Sequence, residues 1–250
     1  MSADHANRRT AVVTGASRGI GEALAAALLA RNYRVYGISR SDSGKLSGHT
    51  GYSAIACDLS DAARTEAMAD RLFRELSAAG GGELLLINNA AMLEPLGPVE
   101  SLGAADMSLH MHASLIAPMT LCGAFIRHTQ QLPIAKRIVN VTSGLAIHSA
   151  PAMSPYCSSK AALNMLTRCI ADEQRERPHP ILAYALDPGM AETRMQATAR
   201  NRDKADFPLQ NFFRESHEQG RLRTPEHVAA ETLRLLADVR PGAAGTVLHV

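Results

Sequence analysis

Thr14-Gly15-Ala16-Ser17-Arg18-Gly19-Ile20-Gly21 lies between the aliphatic run Ala11-Val12-Val13 and an alanine- and leucine-rich stretch that opens at Glu22. Glycines clustered where a short β-like run gives way to a helical pattern read as a strand, a tight turn and a helix. Glycine lets the backbone approach a ligand closely. The N-terminus of the following helix offers unpaired N–H groups and a partial positive charge. The loop therefore reads as a cradle for a dinucleotide pyrophosphate, contacted by Gly15, Ser17, Arg18, Gly19 and Ile20. Its spacing, T-G-x-x-x-G-x-G, differs from the G-x-G-x-x-G of other dinucleotide folds, so the strand–turn–helix context carries the reading.

Outward from this loop, short aliphatic runs alternate with longer stretches of helical period. Strands are expected over 10–14, 34–39, 53–57, 83–88, 137–142, 181–186 and 246–250, and helices over 21–31, 61–79, 104–129, 154–176 and 225–237. Repeated strand–helix units of this kind build an α/β fold around a mostly parallel seven-stranded sheet. A chain of 250 residues, 46% hydrophobic, buries a sizeable core and is expected to form one domain over 1–250. The segment 193–223 fits neither period and is rich in charge. Because it follows the sixth strand, at the end where ligands bind in open parallel sheets, it reads as a substrate lid, with a plain surface excursion as the other reading.

Composition excludes several functions. Lys+Arg of 26 against Asp+Glu of 24 gives a formal charge of only +2 and no basic block for nucleic acid. The polar start lacks the apolar core of a secretory signal, and the apolar runs read as too short to span a bilayer, so no membrane partner is expected. Cys57, Cys122, Cys157 and Cys169 have neither zinc spacing nor disulfide density, which points to a reduced, cytoplasmic protein. His110 and His112, two apart on a helix, diverge, and no metal site is expected.

The end of the second expected strand selects the cofactor. It reads Gly37-Ile38-Ser39-Arg40, with a cation where NAD sites place an acid. A guanidinium holds a 2′-phosphate by paired hydrogen bonds, Ser39 adds a donor, and Arg18 approaches from the glycine loop, so NADP is expected. Asp42 lies past the strand end and reads as a turn residue.

Reactive groups follow the fifth strand. Ser143 ends it, and Tyr156 and Lys160, four apart, share one helix face. A free tyrosine has a pKa of about 10, and Lys160 is expected to lower it. In reduction Tyr156 would donate a proton to the developing alkoxide while Ser143 hydrogen-bonds the same oxygen. His148 and Met153 lie between Ser143 and Tyr156 and are expected beside the substrate, with Met190 beyond the sixth strand. Cys157 reads as a buried neighbour in preference to a redox sensor. With 4% aromatic residues, nothing announces a stacking platform.

TGASRGIG, CDLSD, INNAA, VNVTS, YCSSK and DPGMAET resemble, in order and spacing, the motifs of the short-chain dehydrogenase/reductase family over nearly the whole chain. The resemblance implies a Rossmann-type three-layer α/β/α domain that passes a hydride between a nicotinamide cofactor and a small carbonyl or alcohol. It implies Ser143, Tyr156 and Lys160 as catalytic, with Lys160 also on the nicotinamide ribose. Asp58 and Leu59 would lie against the adenine, Asn88, Asn89, Ala90 and Ala91 would belong to the segment beneath the cofactor, and Pro188, Gly189 and Thr193 would meet its nicotinamide end. Two positions depart from the family pattern. Ala91 stands where glycine is usual. Aligning LIAPM puts Ser114 where many members carry the asparagine that anchors a relay water. LEPLGPVE and PGMAETRMQ are similar to the sepiapterin and benzil reductase branch, which implies reduction of a ketone beside another carbonyl. The resemblance also implies a homodimer or homotetramer built on the two long helices. Two other readings stand beside carbonyl reduction: a non-catalytic NADP(H) sensor on the same fold, and an alcohol dehydrogenase working oxidatively.

Overall fold

The aliphatic runs are hydrophobic on both sides, as strands covered on two faces must be. In the computed structural model, which describes residues 9–42, 44–204 and 207–250, they form strands β1 (Arg9–Thr14), β2 (Tyr33–Ser39), β3 (Tyr52–Ala56), β4 (Glu83–Asn88), β5 (Ala135–Val141), β6 (Leu182–Asp187) and β7 (Val247–His249). The N-terminal residues 1–8, read above as lacking a signal, lie outside the described residues. The strands make one sheet in the order β3-β2-β1-β4-β5-β6-β7, and every pairing is parallel, where a mostly parallel sheet was expected.

Successive strand residues face opposite layers. Val13, Ile87 and Val139 pack with Leu24 and Leu28 of helix α1 (Gly19–Leu29) and Leu233 of α8 (Pro225–Asp238). Val12, Leu86 and Ile138 pack with Met68, Leu72 and Phe73 of α2 (Ala62–Ala79) and Leu121 and Phe125 of α4 (Ala117–Thr129). Phe73 and Phe125 meet edge to face at 5.3 Å. Local chemistry starts these helices. Asp61 accepts from the Arg64 N–H ahead of α2, and Thr224 accepts from the His227 N–H ahead of α8, where Pro225 fills the first turn.

The strand order reverses between β1 and β4, and the loops after β1, β4, β5 and β6 open at the same sheet edge, the switch point where parallel sheets bind ligands. A side-chain clasp closes this edge. Thr14 Oγ1 accepts from the Asn89 and Ala90 N–H groups, each at 2.9 Å, and Asn89 Nδ2 donates to Thr14 O at 2.9 Å.

Three expectations need correction. The single helix over 104–129 is α3 (Ala104–Met111), a π-helical turn (His112–Ile116) and α4. Pro118 lacks the N–H that would bond to the Ser114 carbonyl in an α-helix, so the hydrogen-bond ladder shifts there. By length and composition Ala104–Thr129 passes as a bilayer-spanning helix, contrary to the reading that every apolar run is too short. Half of its most apolar window is buried inside the protein, as in the core helix of a globular fold, so this is weak evidence for a membrane. The lid segment, in turn, is not irregular. It carries α6 (Arg194–Arg200), capped by Thr193, and the amphipathic α7 (Gln210–Glu218), both too short to register as periodic; residues 205 and 206 lie outside the described residues. The remaining long helix is α5 (Ser154–Gln174).

Candidate active site

The glycine loop has the shape the dinucleotide reading requires. Gly15 sits at φ +68°, and a Cβ there would stand 2.9 Å from Asn89 Nδ2 and 3.1 Å from Ala90 Cα. A Cβ on Gly21 would meet Gly15 O at 2.3 Å, so turn and helix touch backbone to backbone. Arg18, exposed and extended, occupies the N-cap of α1 without a side-chain cap, which leaves the first N–H groups of the helix directed at the switch point. Gly19 lies against Thr193, whose Cγ2 is 3.6 Å from its Cβ position, so the start of the segment 193–223 meets the glycine loop.

Arg40 is exposed just past β2, at one end of a groove of about 550 Å3 lined also by Cys57, Asp58, Arg64 and Arg71. Arg64 is paired with Asp61 at 3.3 Å. The sequence reading named Arg40 and Arg18 as cations here and missed Arg64 and Arg71, which only the packing of α2 against β3 brings to the groove. Asp58 accepts from the Ser60 N–H and hydroxyl, which hold its carboxyl below the usual range, and Leu59 is buried in the core beside Met68. The Ser39 hydroxyl, expected to donate to a phosphate, donates to Ser41 O and closes the turn after β2. Asn88 faces the core, where Nδ2 donates to Asn140 Oδ1 at 2.8 Å, and Asn89 serves the clasp described above.

Ser143, Tyr156 and Lys160 converge. Ser143 caps a short turn by accepting from the Leu145 N–H, and its hydroxyl lies near enough to the Tyr156 phenol to act on its proton affinity. The Lys160 ammonium is 5.7 Å from the Tyr156 ring centroid and donates to Val141 O at 2.8 Å. Burial pushes the Tyr156 phenol up to about 12; the Ser143 hydroxyl opposes the rise, and Asp187 and Cys157 add to it. Burial brings Lys160 down to about 8. Burial sets the direction of the Tyr156 shift, and Lys160 is not among the groups that move it, contrary to the expectation that Lys160 lowers it.

Ser114 lies within the π-helical turn, fully buried, and its hydroxyl accepts from the Met92 N–H at 3.0 Å, which fixes the loop after β4. Cys157, partly buried, has its thiol pushed up by burial, the opposite of a reactive thiolate. Of the residues expected at the substrate, His148 is exposed, whereas Met153 is buried in an apolar cluster with Leu93, Ala152, Ala199 and Phe207. Tyr156, Leu145, Met195 and Phe213 border this cluster, so residues of the segment 193–223 share it with the tyrosine. Although aromatics are scarce, Phe207, Phe212 and Phe213 gather here, with centroids 5.5 and 5.7 Å apart, a grouping that scattered sequence positions concealed. After β6, Pro188 is buried and Gly189 turns at φ +64° beneath the Arg223 guanidinium, while Met190 O accepts from the Arg223 N–H at 2.9 Å, tying together the two ends of the segment that follows β6. Among the described residues no three His, Cys, Asp or Glu side chains cluster to hold a metal.

A seven-stranded parallel sheet with a glycine cradle at its switch point and a serine, tyrosine and lysine beside it defines a class of oxidoreductase. The family model for short chain dehydrogenases matches residues 9–204, and the chain belongs to that family. It is similar to a benzil reductase ((S)-benzoin forming) of Bacillus cereus, at 32% identity over 97% of this chain and 99% of that protein. It is also similar to sepiapterin reductase of Xenopus tropicalis, at 29% identity over 90% of both chains. The crystal structure of the KRED1-Pglu enzyme superposes with a TM-score of 0.83 and 29% identity, over 96% of this chain and all of that one. The likeness to the benzil and sepiapterin reductase branch in LEPLGPVE and PGMAETRMQ therefore extends over the chain.

Proposed function

We propose that this chain is a single-domain, NADPH-dependent reductase of small carbonyl compounds in which Tyr156 donates the proton. The observation that carries the reading is the convergence of the partly buried Tyr156 with Ser143 and the buried Lys160, whose ammonium is 5.7 Å from the tyrosine ring centroid. The Tyr156 phenol, protonated at neutral pH, has a proton to give to a carbonyl oxygen in reduction.

The chain has the groups to hold the cofactor. Gly15, Ser17, Arg18, Gly19 and Ile20, with the first N–H groups of α1, would hold the pyrophosphate. Arg40 would hold the 2′-phosphate, with Arg18, Arg64 and Arg71 adding positive potential. Asp58 and Leu59 would border the adenine, Asn89 and Ala90 would back the cradle, and Lys160, Pro188, Gly189 and Thr193 would meet the nicotinamide end. The chemistry NADPH supplies when bound is hydride transfer to the carbonyl carbon. Tyr156 O–H donates its proton to the carbonyl oxygen, Ser143 hydrogen-bonds the same oxygen, and the Lys160 charge steadies the phenolate that Tyr156 becomes.

The relatives named above support a ketone beside a second carbonyl as substrate. The apolar cluster with Leu93, Met195 and Phe213 suits a substrate with an apolar body, and His148 and Met190 would contact the substrate. Residues 193–223 act as the lid. Leu109, Ile116, Met119 and Met165, exposed on α3, the π-helical turn, α4 and α5, suit a second copy of the chain in a homodimer or homotetramer. Four free cysteines fit a reducing cytoplasm.

The pH profile of kcat/KM tests this chemistry. Carbonyl reduction is expected to hold through neutral pH and fall as pH rises through about 8, where Lys160 loses its proton while Tyr156, near 12, keeps its own. Lys160→Arg, whose guanidinium stays charged, moves that fall upward. A profile flat through this range removes the Lys160 charge from the reaction.

A further inference from the structure

His110 is the one buried residue of α3, and its imidazole has no contact with solvent. Nδ1 lies 2.8 Å from Glu94 O, Nε2 lies 3.1 Å from Ser159 Oγ, and Ser159 Oγ is 2.9 Å from Tyr156 O. The ring meets Tyr156 edge to face at 6.4 Å. A carbonyl only accepts, so Nδ1 carries the proton and donates to Glu94 O. Burial, reinforced by the Lys160 charge and opposed by the carbonyls of Glu94 and Pro155, lowers the imidazole pKa and keeps the ring neutral. Nε2 and the Tyr156 main-chain carbonyl are then both acceptors facing the Ser159 hydroxyl, whose single proton serves one of them at a time, so Ser159 stands between the ring and the first turn of α5.

The place of this chain in the fold explains its use. Tyr156 sits in the first turn of α5, where Met153 supplies no side-chain cap and Pro155 supplies no N–H. An uncapped first turn frays unless something outside the helix holds it. The Glu94 carboxylate also pairs with Arg202 of the lid, so a single imidazole joins the loop after β4, the lid connection and the turn carrying the tyrosine.

We propose that His110 is a positioning residue for Tyr156, holding the first turn of α5 to the loop after β4 through Ser159 and its own ring edge. This rests on the reading of Tyr156 as proton donor. The test compares His110→Leu, His110→Gln, Ser159→Ala and the double variant His110→Leu/Ser159→Ala with Tyr156→Phe in one reductase assay, with NADPH affinity by titration and folding by circular dichroism. Displacing a reacting group by about an ångström costs on the order of a hundredfold. His110→Leu is expected to lower kcat by about ten- to a hundredfold with NADPH affinity unchanged. His110→Gln, which keeps a donor and an acceptor, recovers most of the rate, and the double variant is no worse than the poorer single one. Wild-type kcat in folded His110→Leu, or fully additive losses, overturns the proposal. If His110→Leu does not fold, Ser159→Ala decides, and wild-type kcat in that variant overturns it. Turnover retained by Tyr156→Phe defeats the proton-donor reading, whereas an inactive Tyr156→Phe beside a fully active His110→Leu defeats only the role of His110.

Discussion

Tyr156→Phe is expected to lower kcat for carbonyl reduction by about a hundred- to ten-thousand-fold, the usual worth of a positioned general acid. NADPH affinity stays within a fewfold of wild type, because the groups that would hold the phosphates lie on β1, α1 and past β2. Phenylalanine keeps the ring beside Lys160 and His110 and removes only the hydroxyl. The side chain is partly buried and its apolar ring is kept, so thermal stability should hold, which separates lost chemistry from lost fold. Steady-state kinetics with a cofactor titration and a melting curve measure all three; near-full turnover in a stable variant would remove Tyr156 from the reaction.

Arg40→Ala should raise the Kd for NADPH by about a hundredfold, the loss of paired, charge-assisted hydrogen bonds at partial exposure, while NADH binding changes little. The selectivity depends on charge, so the gap between the cofactors narrows as salt is raised. Arg64 and Arg71 line the same groove and limit the loss, since the remaining guanidiniums still attract a phosphate. Titrations of wild type and variant with both cofactors check this, and an equal loss for NADPH and NADH would assign Arg40 a structural role.

Much of this was legible before any coordinates. The glycine loop announced a strand, a turn and a helix, and continuous aliphatic runs announced a sheet covered on both faces. The spacing of Tyr156 and Lys160 placed both on one helix face. What escaped depends on contacts between distant segments. Nothing local marks His110 as buried, because α3 is otherwise exposed and only the return of α5 supplies Ser159 and the tyrosine ring. The π-helical turn was hidden inside an uninterrupted apolar pattern, although Pro118 carries its cause. The two lid helices are seven and nine residues long, too short for a periodic signature, and the phenylalanines they bring together lie on separate segments. The direction of the Tyr156 shift depends on what packs around the phenol, which spacing does not reveal: burial comes first, and Asp187 and Cys157 add to it.

The most direct test follows NADPH absorbance with purified protein and an aryl 1,2-diketone, beside the same reaction with NADH. The expected result is loss of the NADPH signal, matched mole for mole by loss of diketone and appearance of the hydroxyketone, with little change in NADH. Tight NADPH binding without turnover of any diketone, aldehyde or pterin would contradict the reductase reading and favour a cofactor-binding protein that has kept the fold but not the reaction.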